Sequence, residues 1–212
     1  MALPSHGRAR QWFARQLEEL VAAGGTILDV GTSARFAKEL APHRGLFMNV
    51  DYVAAGYEPT RTGAADDVDR HEDIQALSYP DGSLDGVICL EVLEHVADPF
   101  KAASELVRVL RPGGRLICSV PFMTSYHGKG GESARHDSYP DYWRFTHEGL
   151  RTLLSGLSSA SVYAVDGRVE VRLQQWLPHR VFSASLIRSA LDRWDVPILG
   201  KMTSRHFAIG IK

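Results

Sequence analysis

The sequence predicts an α/β protein on a doubly wound, mostly parallel sheet, and three observations carry that prediction. Thr26 to Val30 is an apolar run with Asp29 near its end and Gly31 directly after it. Such a run reads as a buried parallel strand, and the glycine lets backbone approach a ligand above the sheet edge. Gly86 to Leu90, a helical run after Asp98-Pro99, and Arg115 to Val120 follow as strand, helix and strand, an order that favours parallel pairing through a right-handed crossover. Asp51 closes a second apolar run, Leu46 to Val50, roughly 20 residues beyond Asp29, the offset at which one βαβ unit sets a carboxylate against a ribose diol. The turn Gly31-Thr32-Ser33-Ala34-Arg35 has one glycine where dinucleotide folds carry three, so an ordinary strand-to-helix connection reads equally well there.

In chain order, residues 8–23 space Trp12, Phe13, Gln16, Leu17, Leu20 and Val21 as one helix face, stopped by Gly24-Gly25. A short helix is predicted over 34–40, ended by Pro42, then the strand from Leu46 to Asp51. Residues 53–72, with Asp66, Asp67, Asp69 and Glu72, read as a solvated loop holding at most a short edge strand. Pro80-Asp81-Gly82-Ser83 is turn chemistry. Asp98 and Pro99 are the N-cap and first-turn proline of a helix whose face carries Phe100, Ala103, Leu106, Val107 and Leu110. Residues 122–145 form a long loop of the kind that serves function. Thr146 caps a helix through Leu157, and strands follow over Ser161 to Val165, 168–176 and Phe207 to Ile211, with a helix over 182–194 before the last. No repeat or linker interrupts the chain, so 1–212 reads as a single domain.

A net charge of −1 on 212 residues, with 44% hydrophobic and 23% charged residues, describes a globular protein and gives no electrostatic case for nucleic acid or an anionic membrane. No apolar run nears the roughly 18 to 20 residues of a membrane span, and the first residues lack a signal-peptide core; a cytoplasmic location is expected. Cys89 and Cys118 fall inside predicted strands as buried, reduced thiols.

Three consecutive segments carry a family resemblance: Asp73-Ile74-Gln75-Ala76-Leu77 with Pro80-Asp81-Gly82-Ser83-Leu84-Asp85, then Leu93-Glu94-His95-Val96-Ala97-Asp98-Pro99, then Arg108-Val109-Leu110-Arg111-Pro112-Gly113-Gly114. Through them the chain resembles the class I S-adenosylmethionine-dependent methyltransferases over nearly all its length. Ser119-Val120-Pro121-Phe122, His127 and Pro140-Asp141-Tyr142-Trp143-Arg144-Phe145-Thr146 are similar to a small bacterial branch associated with glycan or secondary-metabolite pathways. The resemblance implies a Rossmann-like, seven-stranded sheet with its last strand antiparallel, and S-adenosylmethionine over the carboxyl ends of the first strands. It implies that Gly31 and Thr32 meet the methionine portion, Asp29 orients that loop, and Asp51 binds the ribose diol. Asp73 and the Ile74 amide would meet adenine, and Leu90 and Glu91 the transferred methyl. The glycine pattern departs from the family at Ser33 and Arg35, and Arg35 is an alternative partner for the cofactor carboxylate.

Methyl transfer is an in-line displacement at a sulfonium carbon, so the protein must align donor and acceptor and, for a hydroxyl, remove a proton. A histidine suits that task. His127 is the first candidate base and His136 the second, with Asp137 or Asp141 to orient one of them. Tyr126, Tyr139, Tyr142, Trp143 and Arg144 are the candidate acceptor pocket. No metal is expected, because His127, His136 and Asp141 match no familiar ligand spacing. O-methylation of a small molecule or glycan precursor is the leading expectation. A catalytically silent binding module of the same fold is the first alternative and a nicotinamide-dependent oxidoreductase the second.

Overall fold

A computed structural model describes residues 6–57, 67–128, 140–164 and 205–212. One seven-stranded sheet runs through them. Its strands are β1 (Thr26–Val30), β2 (Asp51–Gly56), β3 (Arg70–His71), β4 (Leu84–Leu90), β5 (Leu110–Pro121), β6 (Ser159–Ala164) and β7 (Arg205–Ile211), in the order β3-β2-β1-β4-β5-β7-β6. The pairs from β3 across to β5 are parallel, and β7 runs antiparallel to both β5 and β6. The predicted seven-stranded, mostly parallel sheet with an antiparallel last strand is therefore the observed one. Helices α1 (His6–Val21), α2 (Pro99–Val109) and α3 (His147–Leu153) cover it.

Alternation along each strand divides the core into two layers. Ile27, Ile88, Ile117 and Phe207 meet Phe13, Leu17 and Leu20 of α1 on one face. Leu28, Val30, Val87, Cys89, Leu116 and Cys118 meet Ala102, Ala103 and Leu106 of α2 and Leu150 and Leu153 of α3 on the other. Cys89 and Cys118 are register partners of β4 and β5, both buried and free thiols. Asp98 caps α2 as predicted, its carboxylate accepting from the Lys101 amide at 2.9 Å with Pro99 in the first turn. Thr146 caps α3 through the Gly149 amide at 3.0 Å, but the helix ends at Leu153.

The connection between β1 and β2 departs from expectation. In place of a helix over 34–40 and a strand over 46–51, a 3₁₀ segment occupies Lys38–Asn49, and β2 begins at Asp51. Pro42 lies inside that segment. Phe47 turns inward against Phe36 and Tyr52 while Met48 and Asn49 both stay in solvent, so the run lacks the alternation a half-buried strand needs. Tyr52, Ala54 and Ala55 are the residues buried in the sheet instead. β3 is the short edge strand anticipated. β5 starts five residues earlier than expected, with an irregularity in its pairing to β4 between Leu84 and Gly86. β6 covers Ser159–Ala164 in place of Ser161 to Val165. The strand expected over 168–176 and the helix over 182–194 lie outside the described residues.

Candidate functional site

The carboxyl ends of β1, β2, β3 and β4 bring Gly31, Gly56, Glu72 with Asp73, and Leu90 with Glu91 to one edge of the sheet. Gly31 has φ +78°, and a Cβ there would lie 2.5 Å from Val92 Cγ2. Only glycine allows the loops after β1 and β4 to touch at this point. The Gly31 and Thr32 amides donate to the Ala55 carbonyl at 2.8 and 3.2 Å, and Thr32 Oγ1 donates to the Ala34 carbonyl at 2.8 Å, so this loop is held by β2 and by itself. Asp29 is buried and accepts from the Tyr52 hydroxyl at 2.6 Å. Burial, then the Asp29 charge, pushes the Tyr52 phenol far up, so it stays a donor. Asp29 thus fixes the floor beneath the loop. Arg35 pairs with Asp69 and lies over the Tyr52 ring at 5.3 Å.

Asp51 does not join this edge. With β2 starting at Asp51, the parallel register sets it beside Thr26, the first residue of β1, and its carboxylate accepts from Thr26 Oγ1 at 3.2 Å. Five residues of strand, on the order of 15 Å, separate it from the carboxyl end. The ribose assignment for Asp51 is therefore corrected; its cause is the displaced strand. Asp73 does stand at the expected edge, exposed just past β3. Its Oδ1 accepts from the Gln75 amide at 2.9 Å and its carbonyl from the Ala76 amide at 2.8 Å, a tight turn that fixes the carboxylate. The Ile74 side chain is buried in the core, and its backbone amide has no acceptor among the described residues. A fixed acceptor beside an unoccupied donor is the donor set an adenine edge requires, so these residues fit an adenosyl group.

Leu90 ends β4, and Glu91 follows with φ +53°, a left-handed conformation costly for a side chain and typical of functional sites. Glu91 Oε1 accepts from the Ser119 hydroxyl at 2.7 Å, and its amide donates to the Ser119 carbonyl at 3.0 Å. Burial pushes the Glu91 carboxyl up to about 7, against Arg205, with Glu94 adding to the rise.

Beyond Glu91 the 3₁₀ turn Leu93–His95 carries Glu94 into full burial. Glu94 Oε1 lies 3.5 Å from His95 Nε2 and 3.4 Å from His127 Nε2. Neither carboxylate oxygen of Glu94 has a hydrogen-bond partner among the described residues. His127 is anchored from the other side: its amide donates to Asp141 Oδ2 at 2.8 Å, and its Nδ1 stands 3.5 Å from the same oxygen. Arg144 grips Asp141 with both terminal nitrogens, at 2.5 and 2.6 Å, and donates to the Thr124 and Ser125 carbonyls. That pairing holds the Asp141 carboxyl at about 2. The Glu94 carboxylate raises the His127 imidazole. His95 Nδ1 meets the Pro140 carbonyl at 2.6 Å, and the His95 and His127 rings cross edge to face at 5.1 Å.

Arg144 accordingly organises the loop ends, and Trp143 is pinned by Nε1 to the Val96 carbonyl at 2.9 Å. Tyr126, Tyr142 and Trp143 expose their rings beside this cluster; the Tyr142 amide donates to the Glu94 carbonyl at 2.7 Å. His136 and Tyr139 lie outside the described residues. Sequence reasoning quoted Glu94 and His95 within a motif and gave neither a role in the site. The signal was two carboxylates three residues apart with a histidine adjoining the second, Glu91-Val92-Leu93-Glu94-His95, which wraps them toward one side in a tight turn.

Residues 28–118 match the family described as methyltransferase domain. An uncharacterized methyltransferase of Mycobacterium sp. (strain JLS) is 35% identical over 106 residues, covering 48% of this chain and 40% of the relative. A Mycolicibacterium smegmatis protein named as a probable S-adenosylmethionine-dependent methyltransferase is 30% identical over 129 residues, covering 56% and 49% respectively. The chain thus spans less than half the length of either relative. Among solved structures, a chain from the complex between the Haloferax volcanii Trm112 methyltransferase activator and a methyltransferase superposes with a TM-score of 0.55 at 19% identity, covering 95% of this chain and 89% of that one. At that identity the likeness establishes the fold.

Proposed function

We propose that this chain, whose residues 28–118 match the family described as methyltransferase domain, transfers a methyl group from S-adenosylmethionine to a hydroxyl oxygen of a small acceptor, a sugar precursor among the candidates. When bound, S-adenosylmethionine supplies a methyl carbon whose bond to sulfur breaks with its electrons staying on sulfur as the acceptor oxygen bonds to that carbon. Asp73 and the Ile74 amide hold the adenine edge. Gly31 keeps the loops after β1 and β4 close enough to form a floor, and Leu90 and Glu91 face the reacting carbon from the end of β4.

The observation that carries the oxygen-acceptor reading is the meeting of Glu94, His95 and His127 just beyond Glu91. An oxygen nucleophile must lose a proton to become neutral after methylation, and this is the place where the described residues gather groups able to take one. Asp141 and Arg144 hold His127 in position, and the half-exposed imidazole passes the proton on to solvent. The exposed rings of Tyr126, Tyr142 and Trp143 suit an acceptor with one apolar face. Their position on the loop ends 122–128 and 140–145 supports that loop as the acceptor side of the site.

Incubation with methyl-labelled S-adenosylmethionine and a panel of hydroxylated sugars and phenols tests the reading. Label should pass to at least one acceptor, and His127→Ala should lower turnover at least tenfold while cofactor affinity stays within twofold. Turnover unchanged in that variant would move proton removal to another group. Cofactor binding without transfer to any acceptor class would favour the silent binding module.

A further inference from the structure

We infer that Glu94, His95 and His127 form a site for one divalent transition-metal cation, beside the methyl-acceptor position. The inference rests on the methyltransferase reading for its use, but the site stands on its own geometry. One potential ligand atom from each of Glu94, His95 and His127 lies within 4.8 Å of the others. The two distances from the carboxylate oxygen, 3.5 and 3.4 Å, match the separation of about 3.4 Å between ligand atoms on a tetrahedral ion with bonds of about 2.1 Å.

The chemistry of the three groups points the same way. Glu94 is completely buried, and neither of its oxygens receives a hydrogen bond among the described residues; a buried carboxylate in that state calls for a cation. His95 Nδ1 sits 2.6 Å from the Pro140 carbonyl, which only accepts, so Nδ1 carries the proton and Nε2 turns a lone pair toward Glu94. His127 Nδ1 is met by two acceptors, the Ser125 carbonyl at 3.3 Å and Asp141 Oδ2 at 3.5 Å, and by one donor, Arg144 Nη2 at 3.5 Å; a proton on Nδ1 uses both acceptors and leaves the Nε2 lone pair on the Glu94 side. With the protons on Nδ1, two imidazole lone pairs and a carboxylate converge on one point, each ring backed by a carbonyl or carboxylate acceptor, the outer shell that metal-binding histidines use. Two imidazoles and one carboxylate leave a position open and select transition cations over magnesium or calcium. A cation with that open position beside the aromatic loop would bind the acceptor oxygen and lower its hydroxyl pKa, and in the metal-bound form it would replace His127, whose Nε2 lone pair it occupies, in activating the hydroxyl.

A proton on each Nε2 is the other way to fill the gap, and metal titration separates the two. Isothermal titration of the full chain with Zn2+ should show one saturable equivalent, and Co2+ should develop the visible absorption of a low-symmetry nitrogen–oxygen site. Glu94→Gln and His127→Ala should each weaken Zn2+ at least tenfold with the melting curve still cooperative. The Co2+ spectrum needs no variant, so a destabilised Glu94→Gln leaves the inference testable. Absence of a stoichiometric Zn2+ equivalent in the unmodified chain overturns it, as does unchanged Zn2+ affinity in His127→Ala. S-adenosylmethionine binding that persists in such a result leaves the proposed methyl transfer standing, whereas loss of cofactor binding with Zn2+ retained would count against the transfer and not the metal site.

Discussion

Replacing Gly31 by alanine perturbs the contact on which the floor of the site depends, and the structure sets the size of the effect. At φ +78° an alanine pays about 1 to 2 kcal/mol for the left-handed conformation. Its Cβ would also lie 2.5 and 2.7 Å from the two Val92 methyl groups. Val92 is partly buried against the core, so it cannot simply swing away, and overpacking of this kind costs about 1 to 3 kcal/mol. The sum, about 2 to 5 kcal/mol, corresponds to roughly 4 to 20 °C of melting temperature for a chain of this length. Urea denaturation of Gly31→Ala, Val92→Ala and the double variant forms a cycle in which the pair should recover the overpacking share but not the backbone share. A Gly31→Ala protein within about 0.5 kcal/mol of the parent, or a double variant showing no coupling, would refute the proposed contact between the loops after β1 and β4.

Other predictions concern stability away from that loop. His206 is buried, and desolvation drives its imidazole down to about 4. The unfolded chain, with a pKa near 6.5, takes up this proton before the folded one, so native stability falls as pH drops from about 6.5 to about 4, by at most about 3 kcal/mol. His206→Leu should flatten the melting temperature across that window; identical profiles would remove the assignment. Arg108 donates to the Leu77 and Tyr79 carbonyls at 2.9 and 2.8 Å and pairs with Glu105 at 2.7 Å. Arg108→Ala should therefore destabilise by about 1.5 to 3 kcal/mol in chemical denaturation, and a change below about 0.5 kcal/mol would show that solvent replaces those bonds.

What the sequence made legible was local. The cap at Asp98 with Pro99, the turn at Pro80 to Ser83, and the apolar runs of β1 and β4 each fix their conformation within a few residues, whereas the seven-stranded sheet with its antiparallel last strand came from the family resemblance. The position of β2 was not local in this sense. Leu46 to Val50 and Tyr52 to Ala55 are both apolar enough for a strand, and the choice was made by packing: Phe47 and Tyr52 share a cluster with Phe36, and the hydroxyl of Tyr52 reaches Asp29. That choice moved Asp51 to the far edge. Glu94 was illegible for a similar reason, since a glutamate in a short turn reads as a surface residue until His127 and Asp141 arrive from the loop ends. His127 was singled out from the long loop that concentrates titratable and aromatic residues, and its amide donates to Asp141 Oδ2 at 2.8 Å.

The paired cofactor affinities of Asp73→Asn and Asp51→Asn test the account most directly, measured by calorimetry with S-adenosylmethionine. Asp73 stands at the edge where Gly31 and Glu91 converge, and loss of a hydrogen bond to a charged group costs about 1.5 to 3 kcal/mol, so its variant should bind at least tenfold more weakly. Asp51 stands at the opposite edge beside Thr26, and its variant should bind as the parent does. The reverse pattern, a weakened Asp51→Asn beside an unaffected Asp73→Asn, would contradict both the placement of β2 and the site built on it.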